Sequence, residues 1–179
     1  MAFAKTEEQK YKVVKSEKDF EIRFYPSATL ATVYLSAKSY KELSGTGFRK
    51  LAGYIFGDNN TDTRISMTSP VHMDISQSGS SMSFVMPSSY NRDNLPEPDD
   101  KNIKIEKSEE GYFAAIRFSG YASDEDIIKY SGRLKDLLNG KGISYYGNFR
   151  YLGYDPPFKP FGRRNEIIVA VRWEENSSH

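Results

Sequence analysis

Cysteine is absent from the 179 residues, and only two histidines occur, His72 and His179. Without cysteine there is no disulfide framework, thiolate zinc site, cysteine nucleophile or iron–sulfur cluster. Two histidines leave almost no room for a multi-histidine metal site, and a histidine-dependent triad would have to use one of them. No sign of charge predominates. The 25 basic and 24 acidic side chains leave +1, which argues against a nucleic-acid-binding domain. No segment approaches the roughly 18 apolar residues of a membrane span, and mean hydropathy is −0.64. A G-x-S-x-G elbow is missing, and Gly45-Thr46-Gly47 lacks the third glycine of a phosphate loop. What abounds is rings: 13 Tyr, 11 Phe and 1 Trp, or 14% of the chain. The length fits one domain, able to bury roughly 70% of its unfolded surface. These counts point to a soluble, ring-rich domain with little catalytic equipment.

Residues 1–10 and 174–179 are polar and read as tails around a domain at 11–173. Ala2-Phe3-Ala4 before Lys5 has the small-x-small form of a signal-peptidase site, but no apolar stretch precedes it. A cytoplasmic start and a periplasmic or secreted protein that has lost its leader both fit.

The order of elements repeats. Phe20 to Tyr25 and Ala28 to Leu35 alternate as strands, with Pro26 between them. Tyr40 to Phe56 carries Leu43, Phe48, Leu51 and Ile55 at helical spacing, with Gly57 as terminator. Strands follow near Arg64–Ile75 and Met82–Met86. The Pro/Asp-rich stretch Asn91 to Asn102 reads as the connection between two halves. In the second half, Gly111 to Phe118 is a strand and Ser123 caps an acid-led helix with Ile127, Tyr130, Leu134, Leu137 and Leu138 on one stripe. Strands near Ile143–Leu152 and Glu166–Trp173 close the chain. Additional strands lead in and lie near Ile103–Ile105. The expected class is α+β, an antiparallel sheet with two helices, built from a doubled strand–helix–strand–strand unit. A groove between helix and curled sheet could lodge a flat apolar ligand.

Three segments could carry chemistry. Tyr145 to Glu166 holds seven rings interleaved with Arg150, Lys159, Arg163 and Arg164, around a loop stiffened by Pro156, Pro157 and Pro160. Rings beside guanidinium groups suit a planar aromatic ligand bearing carboxylates; the plain alternative is a hairpin and proline loop covering the end of the sheet. Arg64 to Met73 clusters Met67, His72 and Met73, from which an iron ligand could come; otherwise the methionines fill the core and His72 faces water. Glu166, if it faces inward, is either an ion-pair partner of Arg163, Arg164 or Arg23, or an acid with raised pKa suited to acid/base work.

GFRKLAGYIFG (Gly47–Gly57), ISMTSPV (Ile65–Val71), FVMPSSY (Phe84–Tyr90), GYDPPFKPFGRRNEI (Gly153–Ile167) and EIRFYP (Glu21–Pro26) together resemble the SOUL heme-binding protein family, across Tyr11 to Trp173. The resemblance implies a distorted antiparallel β-barrel with two helices and an internal pseudo-twofold. It also implies binding of heme or another tetrapyrrole at a shallow apolar face that includes the first helix. The matching positions are Phe48, Leu51, Ala52 and Ile55, with Arg163 and Arg164 as candidate propionate partners. Some members carry a histidine ligand where this chain has Phe24, and basic residues where it has Gly45 and Gly53. Axial ligation is therefore left to His72, Met67 or another weak donor.

The expectation is a tetrapyrrole carrier or buffer that is not an enzyme and has no nucleic-acid partner. SOUL domains are also similar in fold to GyrI-like effector-binding domains, some of which bind cationic drugs or hydrolyse small molecules with a cleft acid. Glu166 would be that acid. A third possibility, an interaction module, requires Phe158 and Phe161 to be exposed.

Overall fold

The computed structural model describes residues 6–175; Ala2-Phe3-Ala4, His179 and the last residues of the C-terminal tail lie outside them. In chain order, the first strands are β1 (Glu7–Glu8), β2 (Lys12–Ser16), β3 (Glu21–Tyr25) and β4 (Thr29–Leu35). Helix α1 (Tyr40–Ile55) precedes β5 (Thr68–Ser69), β6 (Val71–Ser76), β7 (Gly79–Val85) and β8 (Ile103–Lys107). Then come β9 (Gly111–Phe118), α2 (Asp124–Gly140), β10 (Tyr145–Gly153) and β11 (Asn165–Val171). The α+β class and the two helices stand as expected. Pro70, which cannot donate to a ladder, separates β5 from β6 where the sequence suggests one strand.

The chain divides into two units. The first comprises 6–9 and Ser27–Glu109; the second comprises Lys10–Pro26 and 110–175. The Asn91 to Asn102 stretch is therefore interior to the first unit. The connection lies instead at Glu109 and Glu110, and the second unit takes its first hairpin from the N-terminal end.

In the first unit the strands run β6-β7-β4-β8, all antiparallel. Glu7 and Glu8, within the expected tail, pair in parallel with Thr68 and Ser69. Ser39 caps α1, its hydroxyl accepting from Glu42 N at 3.2 Å. Leu43, Leu51, Tyr54 and Ile55 are fully enclosed with Val33 and Met82 in this unit's core. Gly47 lets the helix approach β7: a Cβ there would sit 3.2 Å from the Met82 side chain.

In the second unit the order is β2-β3-β9-β11-β10, again antiparallel. Ser123 caps α2 by accepting from Asp126 N at 3.1 Å, and Leu134 and Leu138 are its buried residues. The Phe118 ring stacks on Tyr130 at 4.3 Å. β11 lies between β9 and β10, and successive residues Glu166 to Val169 are all buried, so both of its faces are covered and the strand reads as a near-continuous apolar run. Asn165 and Glu166 open that strand, and only there does the buried run carry polar groups. β10 bulges between Tyr146 and Arg150, where Gly147 takes φ +74°. Each unit's strand order is open, and neither closes a barrel by itself.

Candidate functional site

Helix α1 presents two faces. With 3.6 residues per turn, Leu43, Gly47, Leu51, Tyr54 and Ile55 turn inward. The opposite stripe carries Gly45, Phe48, Arg49, Ala52 and Phe56. The expected ligand-face residues straddle this boundary. Leu51 and Ile55 are core, Ala52 is just covered, and Phe48 is 42% exposed. The Phe48 ring leans on Phe84 at 5.4 Å. Phe56, at the helix cap, is 62% exposed and extends the open stripe. The 3.6-residue pattern favours the core stripe, and so the sequence reading passes over Phe56, the last helical residue before the Gly57 terminator, as a second ring two turns beyond Phe48. Gly45 has open space where a Cβ would stand. Arg49 is exposed and forms no hydrogen bond or ion pair among the described residues.

His72 is buried, not facing water, with Nε2 hydrogen-bonded to Gln9 Oε1 at 2.7 Å. Met73 is buried and Met67 half-buried. No group of three or more His, Cys, Asp or Glu residues that could hold a metal ion occurs among the described residues. Phe24, at the position of the missing histidine, packs on Tyr112 at 5.2 Å.

The second unit contains a buried ionic network. Glu166 is 0% exposed. Its Oε1 accepts from Arg23 Nη1 at 2.8 Å and Tyr154 Oη at 2.7 Å. Its Oε2 accepts from Arg23 Nη2 at 2.6 Å and from Arg164 Nη2 and Nε at 3.1 and 3.3 Å. Arg23 also donates from Nε to Glu21 at 2.7 Å and from Nη1 to Tyr25 Oη at 2.9 Å. Tyr11 lies under the Arg23 guanidinium, 4.1 Å from ring centre to Cζ, and accepts from Arg164 Nη2 at 2.8 Å. Glu166 lies opposite Arg117 on β9, whereas Arg23 lies opposite Phe113 on the other side of the same strand, so the long Arg23 side chain reaches the carboxylate diagonally across β9.

This arrangement leaves Glu166 ionised and saturated. Burial pushes its carboxyl up, but the hydrogen bonds and charge of Arg23, with Tyr154 and Arg164, outweigh burial and hold it below the ordinary value. Burial likewise pushes the Tyr25 hydroxyl up to about 12 and the Tyr154 hydroxyl further. A cleft of about 420 Å³ beside the network is lined by Tyr11, Arg23, Arg117 and Arg164 among others, but not by Glu166. Of the two sequence readings of Glu166, the geometry is that of the ion-pair partner.

Arg164 is committed to Glu166, Tyr11 and the Tyr154 ring, 3.9 Å away. Arg163 Nη1 donates to the carbonyls of Pro156 and Lys159 at 2.6 and 3.1 Å, and its guanidinium lies 4.1 Å from the Tyr121 ring centre. Its partners are carbonyls and a ring, not a carboxylate. Phe158 and Phe161 are exposed, so the proline loop does not bury its rings.

The family model of the SOUL heme-binding protein matches residues 6–170. The chain belongs to the SOUL heme-binding protein family. Among SOUL relatives, "Heme-binding protein 1" of Xenopus laevis is 36% identical over 166 residues, spanning 87% of this chain and 86% of that protein. Among solved structures, the EcmrR C-terminal domain superposes with a TM-score of 0.68 at 8% identity, covering 92% of this chain and 99% of that one. A protein from Listeria innocua described as a hydrolase gives 0.61 at 10% identity, covering 87% and 93%. At such identities these two structures show a shared fold alone.

Proposed function

We propose that this SOUL protein binds heme or another tetrapyrrole on an apolar face that includes the open stripe of α1, as a carrier or buffer. The carrying observation is the exposed Phe48 and Phe56 pair separated by the small Ala52, in a chain whose relatives are named heme-binding proteins. A flat macrocycle needs rings to contact, small residues to lie over and a cation within reach. Phe48, Phe56, Ala52, Gly45 and Arg49 supply all three. Leu51 and Ile55 hold the helix from beneath. Arg163 and Arg164, the propionate partners the resemblance implies, belong to the second unit and are engaged within the chain, so Arg49 is the cation this face offers.

Bound heme supplies a redox-active iron to the protein. His72 is enclosed and engaged, and Met67 is a soft, weak donor. Binding therefore depends on apolar contact and charge, without a strong axial ligand. About 200 Å² of ring contributes ~5 kcal/mol at about 25 cal/mol per Å², before association costs of comparable size. Micromolar affinity follows. Hemin titrated into the protein should give a saturable Soret change with one site per chain and a midpoint on the order of micromolar. An unchanged spectrum at tens of micromolar hemin would overturn the reading.

The hydrolytic or cation-binding alternative loses its residue, because Glu166 is saturated and off the cleft. We also read the two units as copies of one module. The first-unit order β6-β7-β4 and the second-unit order β10-β11-β9 place the second, third and first strands of a strand–helix–strand–strand module alike.

A further inference from the structure

The 154–164 loop holds the two most exposed large apolar side chains among the described residues, Phe158 and Phe161, each at 83%. Single exposed apolar residues are ordinary, but these two are held out by a brace. The Tyr121 hydroxyl donates to the carbonyls of Pro157 and Lys159 at 2.9 and 3.4 Å. Arg163 stacks on that same ring and donates to the carbonyls of Pro156 and Lys159. Asp155 receives Arg164 N and pairs with Lys159 at 2.9 Å, and Lys159 N bonds Pro156 O at 3.2 Å. Holding two phenyl rings in water on so stiff a support suits a surface they are meant to enter.

We propose that the 154–164 loop docks on a lipid–water interface, with Phe158 and Phe161 as the inserted side chains. The backbone chemistry favours lipid over a protein groove. Pro156, Pro157 and Pro160 offer no N–H, and the carbonyls of Pro156, Pro157 and Lys159 already have donors. Three residues of the loop thus cannot donate to a protein strand, and three of its carbonyls arrive at an apolar medium already partnered, which lowers the penalty such a medium places on polar groups. The loop's charge is complementary as well. With Arg164 engaged by Glu166, Lys159 and Arg163 still outnumber Asp155, and the Lys159 stem can lie along acyl chains with its ammonium among phosphates.

The test uses the full chain without tetrapyrrole and vesicles of phosphatidylcholine, alone or with about one third phosphatidylserine. Wild type should sediment with both, more with phosphatidylserine, and Phe158→Ser with Phe161→Ser should lower the partition coefficient at least about tenfold. The rings are solvent-exposed, so the double variant should retain the wild-type circular dichroism and hemin titration. Phe161→Trp combined with Trp173→Phe leaves one indole, on the loop, whose emission should shift to the blue and be quenched by brominated lipid. No sedimentation with either vesicle, sedimentation unchanged by the double variant, or an unshifted emission from that indole overturns the proposal and leaves the rings to a protein surface.

Discussion

Glu166 is the residue on which the two chemical readings part, and its surroundings answer in physical terms. A carboxylate offers about four lone-pair sites, and five donor contacts from Arg23, Arg164 and Tyr154 fill them. Removing one partner of so enclosed a pair costs about 3–5 kcal/mol, so Glu166→Gln should lower the denaturation midpoint strongly in urea titrations. Its folded pKa lies below the unfolded value near 4.5, so its contribution is complete above that value. As pH falls through the unfolded and then the folded pKa, the contribution is lost. Thermal melts of wild type should therefore weaken below about pH 4.5, and Glu166→Gln should show a shallower acid limb; equal slopes would place the pH sensitivity elsewhere. Phe48 is the matching residue in the first unit. Phe48→Ser removes a half-exposed ring, so it should weaken hemin binding about tenfold with little change in melting, whereas an unaltered titration would remove α1 from the ligand face.

The helices show how far element-level reading reaches. The Ser123 cap and both helix spans follow from local sequence signals, because capping and 3.6-residue periodicity are local; Ser39 caps α1 in the same way, though the sequence reading does not single it out. Which side of a helix faces inward is partly non-local. Phe48 fits the apolar stripe with Leu51 and Ile55, yet Met82 beside Gly47 sets the inward direction and leaves Phe48 at the rim. Gly47 and Gly132 both lie in the middle of their helices but meet different surroundings. A Cβ at Gly132 has nothing within 4 Å, whereas one at Gly47 meets Met82. Gly132→Ala should stabilise by up to about 1 kcal/mol through helix propensity, and Gly47→Val should cost about 1–3 kcal/mol by overpacking. Chemical denaturation of both variants checks the contrast, and equal effects would contradict the close packing of α1 on β7.

At the scale of the whole molecule, the α+β class with its two helices and antiparallel strands was legible in the chain, and so was the family, through the GYDPPFKPFGRRNEI stretch. The division into units was not. Composition marks Asn91 to Asn102 as a joint, but strand pairing assigns that stretch to the first unit and sends Lys10–Pro26 to the second. Such pairing joins β3 to β9, nearly ninety positions apart, which no local window contains. The ionic network was half visible for the same reason: Arg23 and Arg164 stand among the expected partners of Glu166 and do reach it, whereas Arg163, the third, binds carbonyls instead and Tyr11 joins only through the sheet. The central claim is that a tetrapyrrole is held by rings and cations with no strong protein ligand to iron. Parallel titrations with hemin and metal-free protoporphyrin IX test it most directly. The account predicts affinities within about threefold of each other, with hemin showing no six-coordinate low-spin spectrum. Hemin binding tighter by about tenfold or more, ~1.4 kcal/mol, together with a low-spin spectrum, would contradict it.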